Sequence, residues 1–137
     1  MIPILFFGLS LMTTANAFEL KLNFKNLRNT KATIKYLVFT GSTGFPDDPL
    51  NAIRQGSFEA SKASEGITLE LGAGTYAISF IHDENNNNKL DTNFMGIPKE
   101  GFGFSNNPYI FFGPPSFKKA SFELTENQTL SIEMRYF

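Results

Sequence analysis

Phe18-Glu19-Leu20-Lys21-Leu22-Asn23-Phe24-Lys25 alternates apolar and polar side chains without a break. Neighbouring side chains on a strand point to opposite faces, so period two predicts a strand with one dry and one wet face. Residues 33–40 (TIKYLVFT) give a second strand, rich in β-formers. Residues 57–61 and 67–71 add two short strands separated by polar residues around Gly66. Leu71-Gly72-Ala73-Gly74 then turns tightly into residues 75–82 (TYAISFIH), the clearest buried strand of the chain. Residues 116–124 and 129–136 alternate again, with Glu126-Asn127 between them as a hairpin signal. Residues 41–50 are dense in Gly, Pro and Asp and read as a loop, with one helical turn over 49–55 after Asp48. About seven strands with little helix predict an all-β fold, an antiparallel β-sandwich. A small closed barrel is the alternative. The β–α alternation and Gly-rich phosphate loop of a nucleotide-binding fold are missing.

The chain has 137 residues, of which 42% are hydrophobic and 15% aromatic. That length fits one domain, and that composition supplies a packed core rather than disorder. Twelve basic residues against thirteen acidic ones leave a net charge of -1. A nucleic-acid-binding module normally carries a clear basic excess, so no nucleic-acid partner is expected. With no cysteine, there is no disulfide scaffold, thiolate metal site, cysteine nucleophile or cysteine lipid anchor.

Residues 2–12 form the one long apolar run, followed by Ala15-Asn16-Ala17. A short apolar segment ending in small–x–small predicts a secretory signal peptide over residues 1–17, cut before Phe18, and a single mature domain over 18–137. The run is well short of the roughly 20 residues that span a bilayer, so no membrane span is expected. No Lys or Arg precedes Lys21, a departure from the basic start of such leaders, and a buried N-terminal strand or helix is the competing reading. The expected destination is the periplasm or the exterior.

The chemistry is concentrated in His82-Asp83-Glu84-Asn85-Asn86-Asn87-Asn88-Lys89-Leu90-Asp91. Asp83, Asn85, Asn87 and Asp91 fall at positions 1, 3, 5 and 9 of a calcium loop, and Lys89 at position 7, where such loops use the backbone carbonyl. Calcium takes six to eight oxygens, and a short loop supplies them only if alternate residues turn inward. Leu90 would peg the loop to the core. Asn88 stands at position 6, where glycine is usual; Asn is the next-best residue for a left-handed turn. Position 12 is Phe94, so a bidentate Glu is missing, and the segment leaves a strand rather than a helix. Two carboxylates among the ligands predict modest affinity, in the ~10⁻⁴–10⁻³ M range. Asp47, Asp48 or Glu100 would add an oxygen if the fold brought it close. The competing reading is an Asn-rich surface turn.

Residues 76–85 (YAISFIHDEN), 89–94 (KLDTNF), 96–107 (GIPKEGFGFSNN) and 113–122 (GPPSFKKASF) together resemble a family of small exported bacterial proteins of unknown function, DUF2141. The resemblance implies an exported, mostly β domain of transthyretin-like or immunoglobulin-like type, and no reaction. Asn86 and Asn88 stand where relatives usually carry glycine.

His82, the sole histidine, is read as structural, bonding the loop that follows; the enzymatic alternative is a hydrolase using it with Asp83 or Glu100. Residues 96–107 read as a long loop. Phe102, Phe104, Tyr109, Phe111 and Phe112 either pack over the sandwich or form a stacking platform for a glycan or small ligand, using aromatics of residues 94–112. Residues 109–112 are an alternative edge strand that Gly113-Pro114-Pro115 would end. Glu100 is a candidate to anchor residues 96–107 to the ion loop or to a backbone nest. Asn127-Gln128-Thr129 matches a glycosylation acceptor but is read as a turn. The leading expectation is a non-enzymatic exported module with calcium at 83–91. A sheet edge that docks another envelope protein is a further alternative.

Overall fold

The computed structural model describes residues 16–92, 95, 98–110 and 113–137. The expected signal peptide lies almost wholly outside the described residues, as do Phe94, Phe111 and Phe112. Among the described residues, no helix is long and apolar enough to cross a membrane.

Among the described residues eight strands follow in order: β1 (Ala17–Lys25), β2 (Thr33–Phe39), β3 (Arg54–Glu59), β4 (Ile67–Gly72), β5 (Gly74–Asp83), β6 (Gly101–Phe104), β7 (Phe122–Leu124) and β8 (Gln128–Glu133). A single turn of helix, α1 (Phe117–Ala120), precedes β7. Strands β4-β1-β8 form one sheet, and β3-β2-β5-β6 with β7 also on β5 form the other. This is the expected sandwich-like, mostly β arrangement rather than one closed barrel. Pairing is antiparallel except between β1 and β8, which run parallel. The exception has a topological cause. Residues 125–127 do not turn β7 back on itself as a hairpin; they carry the chain across to the other sheet, where β8 meets the free edge of β1.

The alternation read in β1 sets the core. Leu20 and Leu22 are fully buried and meet Leu69 and Leu71 of β4 and Ile132 of β8. Facing them across the sandwich are Ile34 and Val38 of β2 and Tyr76, Ile78 and Phe80 of β5. The other face of β5 is also dry. Ala77 packs with Phe102, Phe104 and Ala120, against which Phe45, Ile110 and Phe117 lie. This second cluster explains why residues 75–82 read as buried on both sides.

Three local expectations change. Residues 101–104 are strand β6, not loop. Gly101 and Gly103 occupy the face toward the C-terminal segment; a Cβ on Gly103 would lie 2.9 Å from the Met134 sulfur, and one on Gly101 would overlap the Tyr136 ring. Glycine here makes room for a crossing strand rather than for a turn. Residues 117–120 form α1 instead of strand because the Ser116 hydroxyl caps it, accepting from Lys119 N–H at 3.2 Å. The helical turn after Asp48 is short, a 3-10 turn over Pro49–Asn51 capped by the Asp48 carboxylate, and β3 begins soon after.

The C-terminal residues stitch the two sheets together. Met134 N–H donates to the Lys25 carbonyl at 2.9 Å, extending the β1–β8 ladder. Arg135 then exchanges both backbone hydrogen bonds with Phe102 of β6, at 2.8 and 3.0 Å. Tyr136 is thereby delivered to the end of β5 that carries the polar loop.

Candidate metal loop and its polar base

Strand β5 ends in His82 and Asp83, both fully buried. Side-chain alternation sends them to opposite faces. Asp83 starts the loop: its Oδ1 accepts from Asn87 N–H at 3.1 Å and its Oδ2 from Asn88 N–H at 2.7 Å. Asn86 and Asn88 take left-handed backbone conformations, with φ of 58° and 66°. Asparagine tolerates that region better than other non-glycine residues, so the loop coils without the glycines.

The side chains of Asn85, Asn87 and Asp91 form one hydrogen-bonded group, which Asp83 joins through the loop backbone. Asp91 accepts from the Asn85 amide at 2.7 Å through Oδ2 and from the Asn87 amide at 2.6 Å through Oδ1. The Asn85 and Asn87 carbonyl oxygens accept from Asn87 N–H at 3.2 Å and Lys89 N–H at 3.1 Å. These amide bonds hold the Asp91 carboxyl below its usual value. Amide nitrogens thus face Asp91, and rotating either amide about its last bond would turn an oxygen there instead. Lys89 is exposed. Leu90, the expected peg, is half-buried.

The base of the loop is held by groups far away in sequence. Glu100, 5% exposed, accepts from Glu84 N–H at 2.8 Å and from Asp91 N–H at 3.2 Å, one bond on each side of the loop. Arg28 grips Glu84 with two hydrogen bonds, at 2.6 and 3.1 Å, and also donates to the Lys99 carbonyl at 2.9 Å. The Asn29 amide adds a third bond to Glu84, and the Thr33 hydroxyl donates to the Asn86 side chain at 2.9 Å. Arg28, and behind it Asn29, hold the Glu84 carboxyl below its usual value. The guanidinium lies 4.6 Å above the Tyr136 ring, a cation–π contact, and burial pushes the Tyr136 phenol up.

His82 does not bond the loop that follows it. Its Nε2 lies 2.8 Å from the Lys31 carbonyl and its Nδ1 2.8 Å from the Tyr136 hydroxyl. A carbonyl only accepts, so Nε2 carries the proton and Nδ1 accepts from Tyr136. Both nitrogens are committed inside the protein, which makes the ring a strut between the β1–β2 connection and the C-terminal segment.

Other sequence candidates lie elsewhere. Asp48 spends its oxygens on Leu50 N–H and the Asn51 amide. Phe102 and Phe104 are packed in the second cluster, whereas Tyr109 is 79% exposed and residues 109–110 are not in a strand. Asn127 accepts from Glu19 N–H at 2.9 Å. Among the described residues, no three His, Asp or Glu side chains form a metal-ready cluster; the loop offers two carboxylates and two amides. Arg28, Asn29, Thr33 and Tyr136 escaped the sequence reading because only the fold brings them to the loop. The one local signal was Glu84, an acid next to a buried strand end that calls for a cation.

No curated protein and no solved structure matches the chain. A family profile described as an uncharacterized protein conserved in bacteria matches residues 22–132, which takes in β2 to β7, the end of β1, most of β8, and the loop with Arg28, Glu84 and Glu100 at its base. The chain belongs to that family, DUF2141.

Proposed function

We propose that the protein is an exported, non-enzymatic β-sandwich module whose 83–91 loop takes up calcium, through Asp83, Asn85, Asn87 and Asp91 and the Lys89 carbonyl. The observation that carries the reading is the convergence of the Asn85 and Asn87 amides on the Asp91 carboxylate, with Asp83 holding the backbone N–H groups of Asn87 and Asn88. A surface turn that merely solvated itself would have no need to direct two amides onto one carboxylate. The amides stand in for the cation: each puts a partial positive charge where a hard ion would put a full one, and each can rotate to present oxygen. Export rests on the apolar run and the Ala15-Asn16-Ala17 sequence before β1.

Calcium in this role orders the loop and stabilises the fold. An ion bound only by the folded state adds RT ln(1 + [L]/Kd), about 1.4 kcal/mol at ten times Kd. For a domain of this size that raises Tm by roughly 4–7 °C. Thermal unfolding in calcium and in chelator measures it. A midpoint unchanged up to millimolar calcium would remove the ion from this reading.

A further inference from the structure

Glu100 sits where the 83–91 loop narrows to its neck. A buried carboxylate is tolerated only when its oxygens are satisfied, and a loop held at its ends must offset closure entropy. Here each problem answers the other. The two oxygens of Glu100 accept from the Glu84 and Asp91 N–H groups, so one side chain joins the two strands of the neck. Lys99 N–H, donating to the Asp91 carbonyl at 2.7 Å, brings Glu100 into place from the returning segment.

We infer that Glu100 is the positioning residue of the loop: it closes the neck and gathers Asp83, Asn85, Asn87 and Asp91 before any ion arrives. As far as ion affinity is concerned, this rests on the calcium reading above. Glu100 acts through the backbone: buried at 5% exposure, its two oxygens each hold one N–H group of the neck. Asp91 hangs directly from one of those N–H groups, so releasing the neck moves the carboxylate on which Asn85 and Asn87 converge. Glutamine in its place keeps the shape but offers one oxygen for two N–H groups and turns an NH₂ toward the second.

The test compares the full protein with Glu100→Gln, using calcium ion as the probe in isothermal titration at a temperature where near-UV dichroism shows both folded. Outer groups that orient metal ligands typically contribute about 10- to 100-fold in affinity, and a loss in that range is expected. In chelator, amide exchange at Glu84 and Asp91 should accelerate by about tenfold or more while Phe80 in β5 keeps its protection. Arg28→Met, which breaks the neighbouring ion pair but leaves both neck bonds, should weaken calcium less than Glu100→Gln. Unchanged affinity and unchanged exchange in Glu100→Gln would overturn the inference. If the unmutated protein binds no calcium, the ion reading fails alone: the clamp stands if the exchange difference persists and falls if it does not. If Glu100→Gln fails to fold, exchange in the metal-free unmutated protein decides. Slow Glu84 and Asp91 amides support the clamp, and amides exchanging at open-loop rates overturn it.

Discussion

Residues 76–80 of β5 and its last two residues, the two halves of its buried stretch, are held by opposite chemistry. Tyr76, Ala77, Ile78 and Phe80 lie between two apolar clusters, one shared with β1, β2, β4 and β8 and one with β6 and α1. His82 and Asp83, a few residues on, are fully buried among polar partners: the Lys31 carbonyl, the Tyr136 hydroxyl and the N–H groups of Asn87 and Asn88. Apolar burial is non-directional and indifferent to charge, so the first half decides whether the chain folds. A buried polar group is worth little net when satisfied and costs its full desolvation when a partner is lost. The second half therefore depends on all its partners at once.

The apolar half should give the largest effect. Phe80 is 1% exposed, meets Phe24 edge-on at 5.3 Å and tilts toward Tyr36 at 6.4 Å. Phe80→Ala should cost about 3–5 kcal/mol, a large share of the roughly 5–15 kcal/mol that a domain possesses. Urea unfolding reads this directly, and a loss under about 1 kcal/mol would break the contrast between the halves.

Gly101→Ala probes the junction. A Cβ there would overlap the Tyr136 ring, and moving that ring breaks its bond to His82 and its contact with Arg28. Overpacking of this kind costs about 1–3 kcal/mol. Combining it with Tyr136→Ala sharpens the point. With the ring gone, the added methyl should cost little beyond Tyr136→Ala alone, and the coupling in a double-mutant cycle measures the shared contact. Additive losses would mean that the glycine serves the strand and not the ring.

These contrasts also explain what the sequence could disclose. Period-two alternation in 18–25 and the continuous apolar run of 75–82 are local statements about burial, and β1 and β5 follow from them. Strand β6 stayed hidden because its glycines report on a neighbour 30 residues away, the C-terminal segment, while locally they look like loop. Residues 117–120 alternated like a strand until a serine cap turned them into α1. The loop was legible as a run of Asp and Asn after β5, and Asn85, Asn87 and Asp91, which the spacing singles out, bond one another. Its support was not. Arg28 reaches Glu84 from the β1–β2 connection, and Tyr136, read as the end of a strand, reaches His82 because the residues after β8 cross to β6. Long-range polar contacts leave almost no local trace, since one arginine in a turn looks like any other.

The smallest effect belongs to the Arg28–Glu84 pair, and its pH dependence separates the halves most cleanly. The Arg28 hydrogen bonds hold the Glu84 carboxyl below its usual 4.5, and the Asn87 and Asn85 amides hold Asp91 below its usual 3.8. A carboxyl depressed in the folded state contributes stability that is fully present above its unfolded value and is lost as pH falls through the folded one. Native protein should therefore weaken as pH drops below about 4.5 through these two groups. With the Arg28 side chain 42% exposed, solvent screens the pair, and Arg28→Met should cost up to about 1 kcal/mol at pH 7. The same substitution should flatten the acid limb, since Glu84 then loses its chief reason to stay ionised. Phe80→Ala removes no titrating contact, so its stability should run parallel to the unmutated protein's from pH 7 to pH 3, only lower. Urea midpoints for the three proteins across that range give three lines. If Arg28→Met runs parallel as well, the ion pair is idle, and the acid response of this end comes from Asp91 and the amides gathered around it.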